Sequence, residues 1–231
     1  MGQKVNPFGM RLGITNSWRS VWFATKQNFA RTLYVDHQIR SLIQEKFKQA
    51  SIDFIGIARF PQYIQVTIHT GRPGIIIGRK GESTQLLNKQ LAALTQTQVK
   101  VDVKDIPKPD LNAQIVAEAI AQQIEKKSSL RKTLQKYVAN AMRAGAQGIK
   151  ILTSGRLNGS EIARTEKLHA GSVPTQTLRA DIRYSQATAA TTYGSIGVKV
   201  WIFVAEAIKP QSVVTETVTP RRGEHDYTQK N

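Results

Sequence analysis

The chain of 231 residues contains no cysteine. That excludes a disulfide framework, a thiolate-ligated zinc site and a cysteine nucleophile, and it points to a reducing, cytoplasm-like compartment. Histidine is scarce too. His37, His69, His169 and His225 are too scattered to build a His-rich metal site, so no metal and no cofactor is expected. No apolar run approaches the roughly 18 residues of a membrane-spanning helix. The opening MGQKVNPFGMRLG lacks the apolar core of a signal peptide, and it is poor in serine for a transit peptide. The most informative shortage is of acids. Sixteen Asp and Glu face 33 Lys and Arg, a net charge of +17, although only 21% of residues are charged. A polyanionic partner offsets such self-repulsion. Nucleic acid is the leading candidate and an anionic membrane surface the second.

What is present suffices for real cores: 40% of residues are hydrophobic, and the length fits one large domain or two small ones. Residues 1–35 carry Lys4, Arg11, Arg19, Lys26 and Arg31 and no acid, with Trp18, Trp22 and Phe23 interleaved. This reads as an extended basic arm that settles on a partner. A first block spans 36–106. Val35, Ile39, Leu42, Ile43 and Phe47 recur at helical spacing, and Ile64, Val66 and Ile68 alternate with polar residues as a half-buried strand. Ile52 to Phe60 pairs with that strand through a turn at Pro61-Gln62. Leu86, Leu87, Leu91 and Leu94 mark a further helix, and Val99, Val101 and Val103 a closing strand. Pro107 and Pro109 make residues 107–112 a linker.

The second block, 113–206, opens with two amphipathic helices, one on Ile115, Val116, Ala119, Ile120 and Ile124, the other from about Ser129 to Ala144. Strands are expected at Ile149 to Ser154, Glu161 to Leu168, Thr177 to Tyr184 and Ile196 to Val204. The fold class is therefore α+β, with two helices on one face of a mostly antiparallel sheet. Residues 207–231 are polar, with Pro210 and Pro220, and read as a disordered tail.

Two features carry chemistry. Gly78-Arg79-Lys80-Gly81 precedes a helix starting near Glu82. Glycines let a nucleic-acid strand approach the backbone, the helix end presents free N–H groups to phosphate, and Arg79 and Lys80 add charge at the tip. This is the GXXG device of a KH module, which clamps a few backbone nucleotides. Gly71 to Gly74 and Gly145 to Gly148 share the spacing but not the setting; the first reads as a strand-to-helix turn. The second feature is the helix near Ser129 to Ala144. At 100° per residue, Lys132, Lys136 and Arg143 fall within about 40° of one another, and Arg131 lies about 100° to one side. No acid joins them. Four such contacts to a single strand give a salt slope of about −2.8, or roughly 50-fold weaker binding between 50 and 200 mM salt. Arg156, Arg164, Lys167, Arg179 and Arg183 extend the basic theme, some of them paired with Asp181, Glu161 or Glu166. His169 is read as a structural loop residue. Nucleotide-loop, zinc-protease and hydrolase-elbow motifs are all absent, which argues against an enzyme.

Several long motifs carry a resemblance that spans about Met1 to Ala207. MGQKVNPFGMRLG, GRPGIIIGRKG at Gly71 to Gly81, SGRLNGSEIARTE at Ser154 to Glu166, LRADIRY at Leu178 to Tyr184 and TTYGSIGVKVWIF at Thr191 to Phe203 resemble the bacterial-type family of small-subunit ribosomal protein number three. The resemblance implies a type II KH domain followed by a second α+β domain. It implies a place on the head of the small subunit, bound to small-subunit rRNA, with the tenth and fourteenth proteins of that subunit as neighbours. It also implies lining of the mRNA entry channel, where basic residues of the second domain's helix grip mRNA and assist its unwinding. Arg131 and Lys132 stand at the family's basic positions. A further basic position is Gln135 here, and the adjacent Lys136 points about 100° away from it. The family is cytoplasmic, with the plastid stroma as an alternative. RNA contacts are thus expected from Gly78, Arg79, Lys80, Gly81, Arg131, Lys132, Lys136, Arg143, Arg156 and Arg164. The other function classes are a free KH-type RNA factor and a lysine-dependent lyase of damaged DNA; neither a membrane nor a small-molecule substrate is expected.

Overall fold

The computed structural model describes residues 4–206, so the expected tail at 207–231 lies outside the described residues. Two four-stranded sheets organise two main cores, and a small third cluster of Ala180, Ile182 and Phe203 lies on the second sheet. The elements of the first are β1 (Ser20–Val21), α2 (Lys26–Lys46), β2 (Ile52–Arg59), β3 (Tyr63–Thr70), α3 (Pro73–Ile77), α4 (Glu82–Thr95) and β4 (Gln98–Asp105), preceded by the short α1 (Pro7–Met10). Strand order is β1-β2-β3-β4, with β2 antiparallel to β3 and β3 parallel to β4. Along β3 every second residue is buried, from Ile64 through Val66 and Ile68 to Thr70. Ile39 and Ile43 of α2 and Leu87 and Leu91 of α4 close over that face. Each such fully buried aliphatic side chain contributes roughly 1.5–3 kcal/mol.

The second domain comprises α5 (Ala113–Glu125), α6 (Leu130–Arg143), β5 (Gly148–Gly155), β6 (Arg164–Gly171), β7 (Ala180–Thr191) and β8 (Gly194–Glu206). Its sheet runs β6-β5-β8-β7, antiparallel throughout. Val116 and Ile120 of α5 and Leu130 and Leu134 of α6 bury Ile149, Ile151, Val198, Val200 and Ile202 on one face only. The expected α+β class holds for both domains. Two strands shift from their expected bounds. β6 begins at Arg164 because the chain first turns tightly through Leu157–Gly159, and His169 therefore pairs with Lys150 inside the strand instead of lying in a loop. β7 begins at Ala180 because the Ala180 N–H closes a turn onto the Thr177 carbonyl, and it runs on to Thr191 as a hairpin with β8.

The largest departure concerns residues 4–35, the described part of the expected arm. They are not an extended arm; they strap the two domains together. Ser20 and Val21 add a parallel edge strand to β2, and the Arg40 guanidinium donates to Ser20 Oγ at 2.7 Å. Trp22 Nε1 donates to Asp36 at 2.7 Å, on a carboxylate that also holds Arg59. At the other end Asn6 caps α1, its Oδ1 accepting from the Phe8 N–H. The next residue after that turn, Arg11, is fully buried and reaches into the second domain. Its guanidinium donates to the carbonyls of Ala180 (2.8 Å), Thr177 (2.8 Å), Thr175 (3.0 Å) and Pro7 (3.0 Å). Between these anchors Arg19 lies over the Phe8 and Phe54 rings, and Phe54 stacks on His69 at 4.1 Å. Residues 26–34, also read as arm, form the first turns of α2.

Candidate nucleic-acid interface

The loop after α3 owes its shape to two glycines. Gly78 ends α3 at φ +69°, and Gly81 starts α4 at φ +79°. Only glycine adopts such angles freely. A side chain at Gly78 would also collide with Ser83, whose Cβ lies 2.9 Å from where the new carbon would stand. Arg79 and Lys80 occupy the single turn between them, with Arg79 exposed. The free N–H groups of α4 open onto this turn. Beside it Ile75 and Ile77 are 41% and 43% exposed and Leu86 58%, while Ile76 is sealed in the core. A backbone that phosphate can approach, next to bare apolar side chains, suits splayed nucleotides, with bases on the apolar side and phosphates on the N–H side.

Helix α6 presents the second basic surface. Leu130, Thr133, Leu134, Val138 and Ala141 face inward. Arg131, Lys132, Gln135, Lys136 and Arg143 are all exposed. Among the described residues no carboxylate lies within ion-pair distance of any of these four cations. Arg131 and Lys132 stand in the first turn, at the positive end of the helix dipole, where a cation is disfavoured. An isolated helix gains nothing from that arrangement, and an external anion removes the penalty.

The other expected contacts divide. Arg156 is a brace: its Nε donates to the Ser160 carbonyl at 2.9 Å and its Nη1 to the Tyr193 carbonyl at 3.2 Å, closing the Leu157–Gly159 turn against the β7–β8 hairpin. Arg164 is exposed at the start of β6, and strand alternation places it with Leu168 on the helix-bearing face of the sheet. Arg183 pairs with Asp181, and Arg179 with Glu206, a partner the sequence reading did not name. The structure thus gathers Lys132, Lys136 and Arg143 on one face, with Arg131 beside them, and keeps Gly78 to Gly81 on the other domain. The sequence reading passed over Lys150 and Lys199. Their signal was available: each alternates with core residues, Lys150 between Ile149 and Ile151, and Lys199 between Val198 and Val200.

A family model described as KH domain matches residues 38–111. Another, described as ribosomal protein S3, C-terminal domain, matches residues 120–202. The small ribosomal subunit protein uS3 of Hydrogenovibrio crunogenus is 49% identical over 223 residues, covering 96% of this chain and 98% of that protein. This chain belongs to the uS3 family. The uS3 proteins of Shewanella denitrificans and Halorhodospira halophila are each 50% identical, over 208 and 212 residues, covering 90% and 92% of this chain. The GXXG turn falls inside the KH match, and the whole of α6 inside the match to the second uS3 domain.

Proposed function

We propose that this chain is a structural component of the small ribosomal subunit head in the cytoplasm. It holds small-subunit rRNA, packs beside the tenth and fourteenth proteins of that subunit, and lines the mRNA entry channel with α6. The observation that carries this reading is the row of exposed cations on α6 without a carboxylate partner among the described residues, in a chain of net charge +17. In the channel Lys132, Lys136 and Arg143 hold the sugar–phosphate chain of incoming mRNA, with Arg131 to one side. The grip is electrostatic. It keeps separated strands apart while the translating ribosome supplies the work, so unwinding requires no nucleotide site on this protein. Replacing Lys132 and Lys136 by Ala is expected to slow translation through a stable hairpin while leaving unstructured messages unaffected. Equal rates on a stable hairpin would reject the assignment. Co-sedimentation with small subunits through a high-salt wash separates this reading from a free KH-type factor, which the wash would remove.

A further inference from the structure

Helices α5 and α6 cover one face of the second sheet. On the opposite face Ala180, Ile182 and Phe203 form a small buried cluster at one end, with Trp201 packed against it, and the strand register arranges the more open remainder in rows. One row reads His169, Lys150, Trp201, Tyr184 across β6, β5, β8 and β7; the next reads Lys167, Leu152, Lys199, Gln186. Neither row contains a carboxylate. His169, Lys167 and Lys199 are exposed, while Lys150, Trp201 and Tyr184 are half-buried. The Lys150 ammonium lies 5.0 Å from the Trp201 ring centroid, and the Tyr184 ring 5.1 Å from it, tilted by 40°. Partial burial, then the charges of Lys167 and Lys4, hold Lys150 below the ordinary lysine pKa. Like charges side by side on a sheet destabilise it, and no ion pair among the described residues relieves these three.

We infer that this face is a third RNA surface, a platform on which single-stranded RNA lies with its phosphates against Lys150, Lys167 and Lys199 and a base against the Trp201–Tyr184 pair. The inference rests on the reading of the chain as an RNA-binding protein, but it uses neither α6 nor the GXXG turn. The charge selects a polyanion, and the adjacent aromatic pair selects one that carries flat bases. Strands about 4.8 Å apart set Lys167 and Lys199 roughly 10 Å from each other, within reach of one backbone by flexible lysine stems.

The test uses the full chain and a labelled oligouridylate of about ten nucleotides, within the usual single-strand site size. Binding is followed by anisotropy across a salt titration. Trp201 emission is followed in a Trp18→Phe, Trp22→Phe background, with circular dichroism checking each fold. The oligonucleotide is expected to quench Trp201, with or without Lys132→Ala and Lys136→Ala. Changing Lys150, Lys167 and Lys199 to Ala is expected to make the salt slope shallower by about 2. Trp201→Leu, which keeps apolar bulk and removes the ring, is expected to weaken binding roughly 5- to 150-fold. Should Trp201→Leu not fold, the exposed pair Lys167→Ala and Lys199→Ala carries the slope test, with an expected change of about 1.4. An unmoved Trp201 signal and an unchanged slope, with binding lost on changing Lys132 and Lys136, would overturn the platform and leave α6 intact. Failure of the unaltered chain to bind any single strand would overturn both.

Discussion

Two stretches of this chain carry cations and no carboxylate, and the fold treats one cation of the first unlike all those of the second. Between Lys4 and Arg31 one cation, Arg11, is drawn fully inside, against the second domain, and Arg19, though exposed, is laid over two aromatic rings, while Lys4, Lys26 and Arg31 stay exposed. On α6 the charge is kept out: Arg131, Lys132, Lys136 and Arg143 are exposed and unpaired among the described residues. The difference lies in the acceptors. Four carbonyls converge on Arg11, and a guanidinium with five donors in a fixed fork can satisfy them together. Among the described residues no such set of acceptors converges on the outer face of α6. A basic residue is therefore structural or ligand-binding according to what other parts of the chain bring to it, and net charge does not distinguish the two.

The largest expected effect comes from breaking the inward case. Arg11→Met leaves buried carbonyls without donors and is expected to cost about 3 kcal/mol or more in denaturant unfolding. Arg11→Lys should recover only part of that, since an ammonium cannot reproduce the fork. A loss below about 1 kcal/mol for Arg11→Met would mean that the strap is not held as described. Gly78→Ala comes next. Strain at φ +69° and the collision with Ser83 predict about 1–3 kcal/mol, and Arg79→Ala at the same turn should cost little while weakening RNA binding. Arg156→Met sharpens the comparison from the middle: as a brace it is expected to cost about 1 kcal/mol and to leave the RNA salt slope unchanged. A shallower slope would return Arg156 to the RNA surface. The smallest stability effect belongs to α6. Lys132→Ala with Lys136→Ala should alter unfolding by less than about 0.5 kcal/mol, as surface changes do. The same pair should make the single-strand salt slope shallower by about 1.4.

Much of the fold was legible because local periodicity and burial coincide. The alternation in β3, the Ile39–Ile43 stripe and the glycine turn at Gly78 each announce their own conformation within a few residues. The first turns of α2 gave no such signal. Residues 26–34 are almost entirely exposed, with Phe29, Leu33 and Tyr34 facing outward, so no apolar stripe marks that stretch as helix. The α6 stripe was readable because a rotation of 100° per residue fixes which side chains share a face. The Arg156 brace was not, because its partners, Ser160 and Tyr193, sit in a turn and a hairpin whose approach no local pattern encodes.

Composition and local pattern by themselves determined the α+β class, the surplus of positive charge, the glycine clamp and the basic face of one helix. These are properties of neighbouring residues, set by backbone sterics and helical or strand repeat. Tertiary structure alone decided which cation turns inward and how much of the second sheet's outer face stays open. Those outcomes depend on pairings such as Arg11 with the Ala180 carbonyl and Ser20 with Ile57, between residues far apart along the chain. Hydrogen-bond acceptors and core surfaces meet across such distances only once both domains have packed.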